Sequence, residues 1–271
     1  MPALIGKGKK EILDYLRQRV VNRIHGWNNK FLSKAGREVL LKAVVQAMPT
    51  YAMNVFLLPI ELCKEIEVIM NGFWWKGKAG IGIRWKDWTA LSKPKSYGGL
   101  GFRRLREFNL AMLAKQSWRL FNHPESLVGK VYKARYFPKG DFLSAKIGNN
   151  PSFIWRSLFQ TQDIIREGYK WRVGNGKSIN IWDDPWLPDQ ANPMVTTASG
   201  LSQATVAMLL DESGNAWDED ILTDIFVDRD ASLIRGILVS FRQVPDVRQW
   251  RWEEDGHFSV RSCYRKIVSS N

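Results

Sequence analysis

Two adjacent carboxylates, Asp183 and Asp184, are the residues of this chain whose type and spacing most directly suggest chemistry. Paired aspartates hold Mg²⁺ in polymerases, where they lie on a tight hairpin behind an aromatic residue and are completed by a further carboxylate. Here Ile181 and Trp182 precede the pair, and Pro185 follows it and removes a backbone donor where such a hairpin would continue. We therefore expect a turn in which the aspartate side chains accept hydrogen bonds from local backbone N–H groups.

The other residue types that could do chemistry form no recognisable site. His25, His123 and His257 stand alone, and the two cysteines are far apart in the sequence, so no zinc-ligand spacing is present. The run from Gly98 to Gly101 lacks the Gly-Lys-Ser/Thr ending of a phosphate-binding loop and is interpreted as backbone-permissive packing. No serine or cysteine carries a nucleophile motif. We predict no catalytic residue, no cofactor and no metal.

The charge of the chain is strongly asymmetric. Its net charge is +13, and residues 1–150 hold 27 Lys and Arg against 10 Asp and Glu, or +17, whereas residues 151–271 carry −4. A basic half of this kind favours a polyanionic partner, because neutralising phosphates releases condensed counterions. A merely solvated, lysine-rich surface is the alternative. No apolar run is long enough to cross a bilayer and no signal peptide is evident, so we expect an intracellular protein, nuclear or cytoplasmic.

The basic residues fall on two predicted helices. Ile12, Leu16, Val20 and Ile24 recur every four residues over residues 9–25, with Leu13 and Trp27 beside them on one face. Ser33 is expected to be the N-cap of a second helix that ends before Pro49. Its predicted buried side holds Val39, Leu40, Ala43, Val44, Ala47 and Met48, and its polar side holds Lys34, Glu38, Lys42 and Gln46. The residues expected to contact phosphates on these helices are Lys9, Lys10, Arg17, Arg23, Lys34, Arg37 and Lys42.

Thirteen tryptophans add a second possible contact with nucleic acid. Most are expected to be buried anchors, because large aromatic side chains dominate the energetics of protein cores. Trp75 and Trp85 are each adjacent to lysine or arginine and are the best candidates for stacking on bases.

The back half of the chain adds predicted strands. Residues 169–173 and 178–182 alternate apolar side chains around Asn175-Gly176, which is a strong hairpin signal. Residues 249–253 and 257–260 predict a second hairpin. The fold class is therefore predicted as α+β, predominantly α-helical, with a helical thumb-like bundle followed by a Trp-rich mixed region with two β-hairpins.

The order of these patterns divides the chain into three predicted segments. Residues 1–75 form a helical thumb-like unit, and residues 76–200 form a Trp- and Gly-rich connecting domain with the hairpin near 169–182. Residues 201–271 hold short acidic helices and the start of a truncated zinc-binding module.

A series of motifs covers nearly the whole chain in a fixed order. It comprises Leu4–Lys10, Leu32-Ser33-Lys34-Ala35-Gly36-Arg37, Pro49–Met53, Phe73-Trp74-Trp75-Lys76-Gly77, Trp85, Gly98–Gly101, Asn109–Arg119, Trp171–Gly176 and Ile181–Pro188. This series resembles the region after the palm in plant LINE-type (non-LTR) retrotransposon reverse transcriptases. The resemblance implies a helical thumb that holds primer–template, a connecting region, and a zinc-binding domain beginning near Trp252 to Tyr264.

The same resemblance implies that the polymerase palm would precede Met1 and that the zinc ligands would follow Asn271. We therefore expect no enzymatic activity from this chain, and we expect RNA, DNA or an RNA–DNA hybrid as its partner. The missing palm and zinc-binding portions of the parent polyprotein are further expected partners, and no membrane is expected. The alternative hypothesis is a retroelement remnant without selected function, or one reused as a protein-interaction scaffold.

Overall fold

The computed structural model describes residues 9–27, 32–76, 82–198, 203–239 and 244–270, and the side chains from Leu13 onward. Twelve α-helices, three short 3₁₀ helices (Val45–Ala47, Lys95–Tyr97 and Val206–Leu209) and two strands are formed in this part of the chain. In order the α-helices and strands are α1 (Lys9–His25), α2 (Lys34–Ala43), α3 (Thr50–Met53), α4 (Ile60–Trp75), α5 (Trp88–Ser92), α6 (Leu105–Asn122), α7 (Leu127–Tyr136), α8 (Phe153–Phe159), α9 (Gln162–Gly168), β1 (Tyr169–Arg172), α10 (Glu219–Ile225), α11 (Asp228–Arg235), β2 (Val247–Trp250) and α12 (Val260–Ser269). The prediction of a mainly helical α+β protein is confirmed.

Local signals in the sequence place several helix starts correctly. The Ser33 hydroxyl accepts a hydrogen bond from the backbone N–H of Gly36 at 3.1 Å, so the predicted N-cap of α2 is confirmed. Ser126 caps α7 in the same way, accepting from Gly129 at 3.1 Å. Such caps satisfy backbone donors that have no partner within the first turn of a helix.

The described residues separate into two compact units, and their limits differ from the predicted segment boundaries. Unit 1 comprises the described residues up to Ile165 together with those from Val260 onward, and unit 2 comprises the described residues from Arg166 to Ser259. The functional labels given above to residues 1–75, 76–200 and 201–271 remain predictions.

Unit 1 is built on a core shared by α1, α2, α4 and α6. Leu13, Leu41, Leu62, Ile66 and Leu105 are all fully buried in it. Burying each such side chain contributes about 1.5–3 kcal/mol, so this core supplies much of the stability of the unit.

The last helix of the chain also belongs to unit 1. Helix α12 packs along α6, where the Tyr264 hydroxyl accepts a hydrogen bond from the backbone N–H of Arg104 at 2.9 Å. The Tyr264 ring meets Phe108 edge-on at 6.1 Å. Helix α12, which the sequence analysis placed in the segment 201–271 with the acidic helices, therefore packs in unit 1.

Helix α2 turns a different face inward from the one predicted. Leu41 is fully buried, as are Val45 and the predicted polar residue Gln46 in the short 3₁₀ helix that follows, whereas Val39 is 62% exposed and Ala43 is also exposed. Residues seven apart lie on the same face of a helix, so Lys34 shares the face of Leu41. The expected polar side of α2 is thus turned partly toward the protein.

In unit 2 the two predicted hairpins are replaced by one long-range pairing. Strand β1 pairs antiparallel with β2, with Tyr169 opposite Trp250 and Arg172 opposite Val247. After β2 the chain forms a turn, closed by a 2.7 Å hydrogen bond from the Trp250 N–H to the Gly256 carbonyl, before α12 begins. Both hairpin predictions were wrong in their strand partners.

The reason for the new pairing is the carboxylate of Asp246. It accepts hydrogen bonds from the backbone N–H groups of Gly174 at 2.7 Å, Gly176 at 2.9 Å and Ser178 at 2.8 Å. A Cβ on Gly174 would lie 2.2 Å from the Val244 carbonyl oxygen, so only glycine allows this approach. The backbone of the Asn175-Gly176 turn therefore donates its hydrogen bonds to Asp246, the residue before β2.

The paired aspartates take part in a turn of unit 2. Asp184 accepts a hydrogen bond from the backbone N–H of Asn180 at 2.8 Å, and its other oxygen lies 3.3 Å from the Tyr169 hydroxyl. Asp183 is exposed beside it. Asp184 therefore accepts a local backbone hydrogen bond, as predicted, but its donor Asn180 precedes the turn between Trp182 and Trp186 where the donors were expected.

Candidate nucleic-acid interface

The N-terminal end of α2 and the C-terminal end of α4 meet through two cations. The Lys34 ammonium donates a hydrogen bond to the Trp74 carbonyl at 2.8 Å, and the Arg37 guanidinium donates to the same carbonyl at 3.4 Å and to that of Lys76. The last carbonyls of a helix lack intrahelical partners and carry the negative end of its dipole, so both cations cap α4. Two of the predicted phosphate ligands therefore have a structural role as well.

Lys34 is also held by aromatic rings. Its ammonium lies 4.7 Å from the centroid of the Trp74 ring and 5.1 Å from that of Trp75. Burial, and secondarily the neighbouring charge of Arg37, lowers the pKa of Lys34. This environment partly desolvates the ammonium and disfavours its charged form.

Trp75 links this cluster to the following loop. Its indole N–H donates to the Lys86 carbonyl at 3.2 Å, and its ring is only partly exposed. Trp75 therefore contributes to packing, and only part of its ring faces solvent.

Lys42 belongs to a second group of charged residues on α2, in which it shares Glu38 with Lys95. Glu38 accepts from Lys42 at 2.7 Å and lies 3.1 Å from the ammonium of Lys95. Hydrogen bonds from Lys42 and then from Lys95 lower the pKa of the Glu38 carboxyl. This group joins α2 to the segment 82–104, which we call the basic loop. Glu38 and Lys42 thus form an i,i+4 ion pair on α2.

The basic loop is anchored by a pair of buried aromatic rings. Trp88 and Phe102 stack with centroids 4.8 Å apart and planes inclined by 5°, and the Trp88 indole donates to the Arg103 carbonyl at 3.1 Å. Gly98 adopts a left-handed conformation with φ 72°, and a Cβ on Gly99 would lie 2.0 Å from the Lys93 carbonyl oxygen. The glycines thus permit close packing of the backbone, as predicted.

The outer side of the basic loop is rich in cations and carries two exposed rings. Trp85 is 75% exposed and Tyr97 is 78% exposed. Six Lys and Arg stand against one acidic residue, Asp87, between positions 82 and 104, a net charge of +5. The exposed cations on this loop are Arg84, Lys86, Lys93, Lys95 and Arg103.

The structure therefore brings five of the nine predicted residues to one surface. We call it the basic surface; its predicted members are Lys34, Arg37, Lys42, Trp75 and Trp85. Tyr97 and the loop cations were missed by the sequence analysis. The alternation of basic and aromatic residues over 82–104 is the signal that could have identified them.

The remaining predicted residues lie elsewhere or outside the described side chains. Arg17 pairs with Asp14 at 2.7 Å and lies 3.5 Å from Glu65 of α4, nine residues or about 14 Å along that helix from Trp74. Arg23 is exposed on α1. The side chains of Lys9 and Lys10 lie outside the described ones.

No group of three or more His, Cys, Asp or Glu is placed to hold a metal ion within the described ranges. None of the helices in this part of the chain is long and apolar enough to span a membrane.

Comparison with known proteins gives two plant relatives. Over 286 residues the chain is 29% identical to the "Putative ribonuclease H protein At1g65750" of Arabidopsis thaliana, covering 99% of the chain and 44% of that protein. Over 146 residues it is 38% identical to the "Uncharacterized mitochondrial protein AtMg00310" of the same plant, covering 53% of the chain and 95% of that protein. No protein-family model matches the chain.

These relatives point to a plant retroelement-like protein, which is the general class that the resemblance seen in the sequence implies. The chain belongs to the same family as the mitochondrial protein AtMg00310, nearly all of which it matches. It spans less than half the length of the protein At1g65750.

Proposed function

We propose that this chain is the region after the palm of a plant LINE-type retrotransposon reverse transcriptase and that it binds RNA or an RNA–DNA primer–template without catalysing a reaction. The basic surface is the binding site. The observation that carries the proposal is the convergence of α2, the end of α4 and the basic loop, which places separate clusters of cations side by side.

The charges on this surface differ in their availability. Arg84 and Lys93 are exposed, and neither side chain makes a hydrogen bond or ion pair with another described residue. Lys95 is 70% exposed in its pair with Glu38. Exposed ion pairs contribute only about 0–1 kcal/mol, so a phosphate can replace such a carboxylate at little cost.

Lys34 and Arg37 are less suitable for testing the proposal. Alanine at either position would remove a cap from α4, so lost affinity would report on folding as well as on phosphate contact. The exposed cations Arg84, Lys93 and Lys95 are the sharper choice, since glutamine there removes charge and leaves the buried contacts in place.

The experiment is binding of a labelled RNA–DNA primer–template across a salt series. Each phosphate contact contributes about 0.7–0.9 to the slope of log affinity against log salt. The triple variant R84Q/K93Q/K95Q is expected to lower that slope by about 2–3.

The matched control is K115Q/K139Q/K146Q, which removes three exposed lysines elsewhere in unit 1. Its slope should fall by much less. Equal losses in the two variants, or no binding by the unmodified chain at low salt, would overturn the proposal. Mg²⁺-dependent primer extension by the purified chain would overturn its non-catalytic part.

A protein-interaction scaffold is the second candidate, favoured by the surface of α7. Leu127 is 80% exposed, and Val128 and Val131 are each 57% exposed. Exposed apolar clusters of this kind are typical of protein contacts. A folded chain without affinity for nucleic acid, in which L127D/V131D changes the sedimentation coefficient, would favour this candidate.

A further inference from the structure

We infer that the basic surface selects nucleic acid with unpaired bases, which stack on Trp85 and Tyr97. This inference rests on the proposed function and adds the class of strand that the site takes. We call the two residues the aromatic pair.

The exposure of the aromatic pair is unlike that of the rings around it. Trp74 and Trp88 are 8% and 6% exposed, whereas Trp85 and Tyr97 leave about three quarters of their surface in solvent. Large aromatic side chains normally gain stability by burial. Two of them left outside on one loop present flat apolar faces to a ligand.

One hydrogen bond joins the chain neighbours of the aromatic pair. The Lys86 ammonium donates to the Gly98 carbonyl at 3.0 Å. Trp85 is the chain neighbour of Lys86, and Tyr97 is the chain neighbour of Gly98, so each aromatic Cα lies about 3.8 Å from that of a bonded residue. The aromatic pair therefore borders a single short bridge across the loop.

The backbone beneath each ring is ordered by its own contacts. Beyond Trp85, the Asp87 carboxylate accepts from the Ala90 N–H at 2.7 Å and caps α5. The Tyr97 N–H bonds the Pro94 carbonyl at 2.9 Å in a 3₁₀ turn. An ordered support reduces the entropy that would be lost when the rings bind a ligand.

The chemistry of bases determines which strand such rings can hold. In a duplex each base is already stacked on its neighbours, so only the phosphates of the duplex can contact the basic surface. An unpaired base can turn out and stack on an aromatic ring, whatever its identity. With Arg84, Lys86 and Lys93 exposed beside the rings, the surface can contact phosphates and bases of the same strand.

The test compares two labelled probes of equal length, an oligouridylate of about 12 nucleotides and a blunt RNA–DNA duplex. Each ring removed should weaken oligouridylate binding by about 5- to 150-fold in Kd. W85A, Y97A and the double variant should change duplex affinity by less than about 2-fold. Because no charge is removed, the salt slope should stay the same for both probes.

Two further variants separate stacking from disturbance of the loop. Trp85→Phe retains an aromatic face and should keep most of the affinity for the oligouridylate. Tyr51→Ala removes a 71% exposed ring from α3 in the same unit and should leave both affinities unchanged.

The outcomes also distinguish this inference from the proposed function. Steep, salt-dependent binding of both probes that does not depend on the aromatic pair would overturn the inference and leave the proposed function standing. Equal losses on the two probes would do the same. Failure of the unmodified chain to bind either probe at low salt would overturn both.

Discussion

Replacing Asn109 by alanine should be the most damaging single polar substitution in unit 1. Asn109 is fully buried on α6, and its carboxamide oxygen accepts from the Leu58 N–H at 2.8 Å. Its amide group donates to the carbonyls of Met53 at 2.8 Å and Phe56 at 3.0 Å. One side chain thus satisfies three backbone groups in the connection between α3 and α4, where no helix can supply partners.

The expected loss follows from those three contacts. Leaving one buried polar group unpaired costs about 1–3 kcal/mol, and the three costs do not add fully because water can enter the space vacated. We expect Asn109→Ala to lower the free energy of unfolding by about 4 kcal/mol. Asn109→Asp keeps the acceptor for Leu58 but faces two carbonyl oxygens with a carboxylate, so its loss at neutral pH should be at least as large.

The assay is urea unfolding followed by circular dichroism, with amide hydrogen exchange at Ile66 in the middle of α4 to assign the loss to unit 1. Asn122→Ala, at the last position of the same helix, is the control, and its effect should be within about 0.5 kcal/mol. A loss below about 1 kcal/mol for Asn109→Ala, or one equal to that of the control, would refute the role given to this carboxamide.

Two further substitutions test the other packing arguments. Asp246→Ala removes the acceptor of three backbone N–H groups in the 174–178 loop. The free energy of unfolding of unit 2 should therefore fall by about 2–4 kcal/mol, and the unit should become sensitive to proteolysis. Asp224→Ala, at an exposed position of α10, is the control and should change neither property. Burial raises the pKa of Glu67 to about 7, above its value in the unfolded chain. The native state then binds the proton more tightly, so stability falls as pH rises from about 4.5 to 7. Glu67→Gln should remove that fall, so at pH 8 its free energy of unfolding should exceed that of the wild type by about 1–2 kcal/mol. The measurement is urea unfolding at several pH values. Parallel curves of stability against pH for the variant and the wild type would contradict the assignment.

The sequence by itself determined the features that depend on neighbouring residues. The helical spacing of Ile12, Leu16, Val20 and Ile24 predicts α1, and the last three side chains are buried, whereas that of Ile12 lies outside the described ones. A serine N-cap acts within four residues, so the start of α2 was also predicted at its observed position. The charge asymmetry likewise needs only composition.

Contacts between distant residues were decided by the tertiary structure. The Asn175-Gly176 turn favours a local hairpin, yet the Asp246 carboxylate outweighs this preference with three hydrogen bonds, and β1 pairs with β2 instead. Local propensity contributes at most about 1 kcal/mol per residue, so a few buried or charge-assisted contacts can override it.

The same limit applies to the candidate site. Spacing along α2 shows that Lys34 and Arg37 share a face, but not that this face meets the end of α4, forty residues further along the chain. Composition likewise does not distinguish the exposed Trp85 from the buried Trp88. Trp88 is buried because Phe102, fourteen residues further along the chain, stacks on its ring. Residue type and local order came from the sequence, whereas which cations are exposed and which rings face solvent depends on the packing of elements that lie far apart in it.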